Sequence, residues 1–305
     1  MGTIRPISRA ETLIQPAHEK LGPLKELPGS WVGTGFNLIA RPDFQHHKPF
    51  FLEINGTIEN LEFTLIGGDI PNRGSEQDDA FLHGLHYLQQ VADCESHGAL
   101  HIEPGLWLHV PATKDPNVPK PTVVRQATIP HGDSLLAQST LITEVNGGPD
   151  IQPVDSFPFT DAAIPGLNTP ATQILGAPYT DQYLNTPLPA CCVPAGLAAA
   201  ATIRNPNLVL LAQIAGQKII KTTVIVISTV AAAGSTGILN IPFVVRNANA
   251  IQMDAIFWIE TVQPTDGEPF LQLQYVQRVI LNFPATPNGP VIHWPHISVA
   301  TLVKQ

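Results

Sequence analysis

Charge is scarce in this sequence, and basic residues are scarcer than acidic ones. Only 13% of the 305 residues are charged, and 16 Lys and Arg against 25 Asp and Glu give a formal net charge of −9. Soluble domains usually carry about 25% charged residues. A phosphate backbone is bound through Lys and Arg that displace counterions, so this composition excludes nucleic acid as a partner.

Cysteines and long hydrophobic runs are also few. The three cysteines, Cys94, Cys191 and Cys192, cannot form a framework of several disulfides. An odd number of cysteines is typical of a reducing compartment, so we expect a cytoplasmic protein. The longest apolar stretches, such as 222–233, fall short of the ~20 residues that span a bilayer. Residues 1–20 lack the apolar core of a signal peptide, so we expect no membrane association.

Short runs of β-branched and aromatic residues, bounded by Gly, Pro, Asn and Asp, are abundant and indicate strands. In 270–279 polar and apolar residues alternate, as in a strand with one buried face. The predicted strands are 29–40, 50–55, 61–66, 80–92, 99–111, 122–128, 133–144, 207–215, 218–230, 237–245, 253–263, 269–283 and 291–303. We therefore predict an all-β protein, an antiparallel up-and-down β-barrel with an internal cavity.

One segment, 147–207, breaks this pattern because proline recurs in it and no regular period survives. Its aromatic and apolar residues argue against disorder. We expect an ordered insertion that wraps the barrel, covers one mouth or forms a dimer contact, with a short helix near 195–202. Residues 1–305 are then one barrel domain with an N-terminal extension at 1–26. The neutral, apolar surface favours a homodimer.

The first landmark is a tryptophan flanked by glycines where the first long strand begins. Trp31 stands between Gly29, Gly33 and Gly35. Glycines in a strand mark close approach of another backbone, and a large ring at that point can plug the closed end of a barrel. This landmark predicts architecture and no chemistry.

The second landmark is a histidine and a carboxylate on one strand face. Because side chains alternate along a strand, His101 and Glu103 point to the same side, while Ile102 points to the other. Such a pair either stabilises the fold or acts as an acid–base pair on a substrate that the barrel encloses. The second alternative makes the protein an enzyme without a cofactor.

The third landmark lies in the last predicted strand, where His296, Ser298 and Ala300 share a face. A histidine followed on its face by small residues can offer a ring nitrogen to a metal or a haem iron, or be a hydrogen-bonded structural residue. His83 and His86 lie on opposite faces of an earlier strand, so at most one of them faces the interior. An inward histidine there is a candidate for a second group beside bound iron.

The three landmarks together resemble nitrobindin-like proteins, which are calycin-type barrels related in shape to fatty-acid-binding proteins. The matching patterns are Gly-x-Trp-x-Gly-x-Gly at 29–35, His-x-Glu-x-Gly at 101–105 and His-x-x-x-Ala-x-Leu at 296–302. The resemblance implies an antiparallel barrel that holds haem b through a histidine of the last strand. On this chain it implies His296, with His293 as the fallback if the register is shifted.

With haem bound, the protein would react with small oxidants such as NO, peroxynitrite or peroxide, or use the haem for an oxidation, with peroxidase- or isomerase-like activity. Arg125 or Arg278 suits the propionates, since arginine binds carboxylates in a bidentate manner. The alternative is a carrier for an apolar small molecule without haem. Glycine-rich nucleotide loops and a Gly-x-Ser-x-Gly elbow are absent from the sequence.

Overall fold

The protein was analysed as a computed structural model, which describes residues 18–116, 119–161, 172–230, 237–286 and 288–305. Strands make up 54% of the structure and helices 12%. The strands are β1 Gly29–Asp43, β2 Lys48–Leu65, β3 Ile70–Asn72, β4 Ala80–Asp93, β5 Ala99–Val110, β6 Thr122–Ile129, β7 Asp133–Asn146, β8 Phe159–Asp161, β9 Thr172–Ile174, β10 Ile219–Ser228, β11 Gly237–Asn240, β12 Asn249–Val262, β13 Phe270–Pro284 and β14 Val291–Lys304.

The helices are short and lie in the connections between strands. They are α1 Asp181–Asn185, α2 Ala199–Arg204, α3 Asn207–Gln213 and α4 Pro242–Asn247, with 3-10 turns at Gly22–Leu24 and Phe44–His46. In the described ranges, no helix combines the length and the apolar character that crossing a membrane requires.

Ten of the strands form a closed antiparallel barrel. Going round it, β1, β2, β4, β5, β6, β7, β10, β12, β13 and β14 each pair with the next, and β14 pairs back with β1. Neighbours round the barrel follow one another along the chain, apart from the short strands in the connections. The prediction of an all-β, up-and-down antiparallel barrel is confirmed.

The barrel is closed at the end where β1 begins. Trp31 is wholly buried there, and its indole N–H donates to the Leu27 carbonyl oxygen at 2.7 Å. Leu21 and Leu24, beside the first 3-10 turn, pack into the same core. The Lys304 ammonium lies 5.4 Å from the centre of the Trp31 ring. Trp31 is the plug that its glycine-flanked position predicts.

The glycines of β1 allow the first and last strands to approach closely. A Cβ on Gly33 would lie 2.0 Å from the Thr301 carbonyl oxygen, and one on Gly35 would lie 2.3 Å from that of Val299. Real Cβ atoms do not come so near, so a side chain at either position would force β1 away from β14. The predicted close backbone approach is therefore present.

The insertion wraps the outside of the barrel, which is one of the three roles expected of it. Its buried side chains form a second core with the outward-facing residues of β1, β2, β12, β13 and β14. That core includes Phe157, Tyr183, Val209 and Leu210 from the insertion and α3, and Phe50, Trp294 and Val299 from the barrel. Residues 162–171 of the insertion, and 1–17 of the predicted N-terminal extension, lie outside the described residues.

Two predicted strands are wrong in type. Segment 207–215 is mostly the helix α3, which follows Pro206 and buries Val209 and Leu210 against the barrel wall. Segment 237–245 divides into β11 and α4, because Pro242 begins the helix. Short apolar runs fit a buried helix or a strand equally well, so their pattern alone does not separate the two.

The cysteines form one disulfide, between Cys94 and Cys191, which are 97 residues apart in sequence. Cys192 is a free thiol. The sequence analysis used the odd number of cysteines as a sign of a reducing compartment. With a disulfide in the structure, the cysteine count no longer supports a cytoplasmic location.

Candidate functional site

The inward-facing side chains change in character from the closed end of the barrel to the open end. Near Trp31 they are apolar and wholly buried. Toward the open end they are polar, and Asn37, His101, Gln277 and His296 keep partial exposure. The polar side chains at this end, which is called the open end below, are therefore the part of the interior that solvent reaches.

A buried ion pair lies at the centre of the polar half. Glu103 on β5 is fully buried, and one of its carboxylate oxygens accepts hydrogen bonds from Arg125 and from the Tyr87 hydroxyl. The Arg125 Nε–H donates to the Tyr87 oxygen at 2.9 Å, and another guanidinium N–H donates to Gln277 Oε1 at 2.7 Å. Arg125, from the neighbouring strand β6, thus has all its groups bound inside the barrel.

Aromatic rings surround the Arg125 guanidinium. Its central carbon lies 5.6 Å from the ring centre of Tyr87, 5.8 Å from that of Trp107 and 5.6 Å from that of Phe257. A cation near ring faces is attracted by their negative quadrupole. The rings and Glu103 together offset the cost of removing this charge from water.

The predicted pair of His101 and Glu103 is formed. Burial alone would raise the pKa of Glu103, but the Arg125 charge and the hydrogen bonds from His101 and Tyr87 lower it to about 2. His101 Nε2 lies 3.2 Å from Glu103 Oε2, and the His101 side chain is 23% exposed. A permanently ionised carboxylate therefore orients a histidine that faces the open end.

A second carboxylate, that of Glu59 on β2, is also buried. It accepts hydrogen bonds from the Tyr275 hydroxyl at 2.6 Å, from Thr57 at 3.0 Å and from Gln89 at 3.2 Å. Burial raises the pKa of Glu59, although these three hydrogen bonds oppose the shift. Of these two buried carboxylates, Glu103 has a cationic partner in contact, whereas the contacts of Glu59 among the described residues are with hydroxyl and amide groups.

The ring orientation of His296 follows from a chain of side-chain hydrogen bonds. Asp93 only accepts, so Asn55 Nδ2 donates to it at 3.0 Å, and Asn37 Nδ2 in turn donates to Asn55 Oδ1 at 3.4 Å. Asn37 Oδ1 is then the acceptor 2.8 Å from His296 Nε2 and 2.9 Å from the Ser298 hydroxyl. His296 Nε2 therefore carries the proton.

The remaining nitrogen of His296, Nδ1, consequently holds the lone pair. Among the described residues no hydrogen-bond partner of Nδ1 is present. Burial lowers the pKa of His296 to about 3, and the neighbouring His101 and His131 oppose a further positive charge. Hydrogen bonds from the Ser96 backbone and hydroxyl and from Asn55 lower the pKa of Asp93 to about 2, which keeps the first acceptor of the chain ionised.

Three histidines thus converge at the open end. His101 and His131 have their ring centres 6.0 Å apart, and both lie close enough to His296 to influence its charge. His131 is exposed, in the turn between β6 and β7. His83 instead contacts Asp69 at 2.8 Å near the closed end, and His86 points outward.

His293, the fallback ligand, lies between the barrel and the insertion. Its ring stacks on Phe159 with centres 4.9 Å apart. Nδ1 lies 2.6 Å from Asn282 Oδ1, and Nε2 lies 2.9 Å from Asp161 Oδ2. Both ring nitrogens therefore have partners within the protein, Nδ1 on β13 and Nε2 on β8, so neither is directed toward the barrel interior as a ligand.

The two arginines predicted for haem propionates are placed differently from each other. Arg125 is inside the barrel but bound to Glu103. Arg278 points to the outer face of β13 and pairs with Asp254 at 3.0 Å. Neither placement supports a propionate contact.

The sequence analysis missed Glu59, Asn55 and the hydrogen-bond chain that starts at Asp93. Segments 50–55 and 61–66 were predicted as separate strands, whereas β2 runs unbroken through both. Within one strand, Asn55, Thr57 and Glu59 share the face that continues with Leu61, and that alternation is the signal that would have found them.

The fold defines the class of protein: a closed antiparallel β-barrel of ten strands, with polar inward-facing side chains toward the end opposite Trp31. No known protein-family model matches the chain, and no curated protein matches it either. Similarity is found to a solved structure, the crystal structure of Rv2717c from M. tuberculosis, at 15% identity and a TM-score of 0.41, covering 95% of this chain and 98% of that one. The resemblance to nitrobindin-like proteins stays a prediction.

Proposed function

We propose that the open end of the barrel binds haem b and that His296 is its protein ligand. The observation that carries the proposal is the free Nδ1 lone pair of a neutral imidazole that faces the polar interior. A metal-binding imidazole must be unprotonated, and the pKa of about 3 keeps His296 so at any physiological pH. A ligating histidine also usually donates its other N–H to a fixed acceptor, as His296 does to Asn37.

The residues around His296 have distinct roles in this proposal. Asn37, Asn55 and Asp93 fix the ring orientation and the tautomer of His296. The Ser298 hydroxyl donates to the second lone pair of Asn37 Oδ1. Bound haem would supply an iron centre able to react with NO, peroxynitrite or peroxide. His101, held by Glu103, can donate or accept a proton at its ring beside such a ligand.

Absorption spectra test the proposal directly. Purified protein to which hemin has been added is expected to show a Soret band that His296→Ala abolishes or shifts to the spectrum of unligated hemin. His293→Ala is the matched control, because it removes a histidine of the same strand whose ring nitrogens are both occupied. Its spectrum should equal that of the wild type. Equal spectra for His296→Ala and the wild type would rule out His296 as the ligand.

A second function is favoured by the His101–Glu103 geometry. An ionised carboxylate that orients a partly exposed histidine is an arrangement in which the histidine can act as a general base. The protein would then act on a small molecule without a cofactor. The apolar-carrier alternative is less well supported, since charged and amide groups line this half of the barrel.

The acid–base function makes its own prediction. With a turnover assay found by substrate screening, Glu103→Gln should lower kcat, because the general base His101 loses the carboxylate that orients it; a positioned general base contributes about 10²-fold or more. Hemin binding should be unaffected, because Glu103 does not contact His296. Full turnover in Glu103→Gln would show that the His101–Glu103 pair has a structural role only.

The predicted homodimer also stays a proposal. Exposed apolar side chains on β11 and α4, including Leu239 and Phe243, are the surface that supports it. Light scattering at two protein concentrations would measure the oligomeric state.

A further inference from the structure

Three sulfur atoms meet outside the barrel interior, at a point that neither haem nor acid–base chemistry uses. The Sγ atoms of Cys94, Cys191 and Cys192 all lie within 4.8 Å of one another. Cys94 follows β4 at the open end of the barrel, whereas the other two are adjacent in the insertion. The cluster therefore joins two parts of the chain that are far apart in sequence.

The backbone around the cluster is shaped to bring these sulfurs together. Cys192 has a φ of 65°, in the left-handed region that residues with a side chain rarely adopt. A Cβ on Gly56 would lie 2.7 Å from Cys94 Sγ and 2.3 Å from the Cys191 carbonyl oxygen. The Cys94 N–H also donates to the Gly56 oxygen at 2.9 Å. Glycine at position 56 is thus what leaves room for the three cysteines.

We propose that Cys94, Cys191 and Cys192 bind a thiophilic divalent cation such as Zn²⁺ in the reduced chain, and that the Cys94–Cys191 disulfide is the oxidised, metal-free state of this site. Tetrahedral zinc with metal–sulfur distances of ~2.3 Å holds its sulfurs ~3.8 Å apart. Sulfurs already within 4.8 Å reach that spacing through small side-chain movements. Solvent completes the fourth position.

The chemistry of the ligands favours a soft cation over Mg²⁺ or Ca²⁺, which prefer oxygen ligands. Charge favours a cation as well. The carboxylate of Asp93, the residue before Cys94, accepts hydrogen bonds from Asn55 and from the Ser96 hydroxyl, so it adds a negative neighbour to the cluster.

The two states interconvert by a balanced reaction. A phosphine or dithiol supplies two electrons, which with two protons convert the Cys94–Cys191 disulfide to two thiols. Binding of the cation to three thiols then releases three protons. A low-molecular-weight disulfide can accept two electrons from the Cys94 and Cys191 thiolates and, with two protons, become two thiols. This oxidation removes two of the three ligands, so the cation leaves when the Cys94–Cys191 disulfide reforms. The site therefore responds to the redox state of its surroundings.

Titration with Cd²⁺ tests the proposal on the full chain. After phosphine reduction and removal of the reductant without air, Cd²⁺ is expected to bind one per chain with an ultraviolet thiolate-to-metal charge-transfer band. Cys192→Ser keeps the disulfide pair intact and should weaken binding by about 100-fold, the share of one ligand in a structural site. The unreduced wild type should show no band. Circular dichroism of each form verifies that the fold is kept.

Protection of the thiols gives a second measurement. Zn²⁺ should slow alkylation of all three cysteines by iodoacetamide, as followed by mass spectrometry of peptides, and a chelator should restore the rate. Cd²⁺ affinity in the reduced wild type no greater than in reduced Cys192→Ser would overturn the proposal, and so would unprotected thiols. Because His296→Ala leaves the cluster untouched, it should bind Cd²⁺ like the wild type whether or not haem binds.

Discussion

Replacing Arg125 with methionine is expected to lower the free energy of unfolding by about 3–5 kcal/mol, because the change leaves the Glu103 carboxylate buried without its partner. Because methionine keeps most of the side-chain volume of arginine, the loss of unfolding free energy comes mainly from the missing charge and less from altered packing. Tyr87 and Gln277 also lose a hydrogen-bond donor. Urea unfolding at neutral pH, followed by circular dichroism, measures the effect.

Arg278→Met is the matched control. Arg278 also forms an ion pair with a carboxylate, that of Asp254, but both side chains are about a third exposed, at 37% and 31%. Exposed pairs contribute about 0–1 kcal/mol. Similar losses in the two variants would show that the Glu103 pair is not the strong interaction that its burial indicates. Adding Glu103→Gln to Arg125→Met should restore part of the stability, since the unpaired charge is then removed.

The same pair sets how stability depends on acid. The pKa of Glu103 is about 2 in the folded chain, below its ordinary value of 4.5. A lowered carboxyl pKa contributes stability above the ordinary value, and that contribution is lost as the pH falls from about 5 to 2. In Arg125→Met, burial instead raises this pKa, so acid should no longer remove this stability. Urea midpoints measured between pH 6 and 3 would compare the two slopes.

Replacing Trp31 with alanine should destabilise the barrel by about 3–5 kcal/mol, the usual cost of emptying a buried aromatic position. The plug contacts the apolar core at the closed end, and nearby backbone atoms of β1 and β14 leave little freedom for collapse into the cavity. Thermal and urea unfolding measure the loss. Hemin binding at the other end should persist at temperatures where the variant is folded.

Two further substitutions separate volume from hydrogen bonding at this position. Trp31→Phe keeps a ring but leaves the Leu27 carbonyl oxygen without its donor, for a cost of about 1–3 kcal/mol. Val32→Ala changes the next residue, which points outward and is exposed, and should cost under about 1 kcal/mol. If Val32→Ala proved as damaging as Trp31→Ala, the strand and not the plug would be the sensitive element.

Much of the barrel could be predicted from sequence because its strands carry a local signal. The alternation of polar and apolar residues in β13 predicted a strand, and the glycines of β1 predicted close approach of another backbone. Both signals come from residues near one another in sequence, and the structure contains both features. The helix α3 could not be predicted in the same way. Its residues are apolar enough for a strand, and only packing of Val209 and Leu210 on the barrel wall decides between the two.

Within the candidate site, the sequence predicted contacts between residues of the same strand but not contacts between strands. His101 and Glu103 are two residues apart, so their shared face follows from alternation. The Arg125 partner depends on the alignment of β5 with β6, where it lies opposite Trp107. The chain from Asp93 to His296 crosses four strands, so no local pattern contains it.

The pairing of the first strand with the last has a consequence for synthesis on the ribosome. One edge of β1, which ends at Asp43, has no partner until β14, Val291–Lys304, has been made. Translation at about 5–20 residues per second leaves that edge open for on the order of tens of seconds. Open edges template pairing with other chains, so until β14 emerges this edge of β1 is a place where the nascent chain can pair with a second copy.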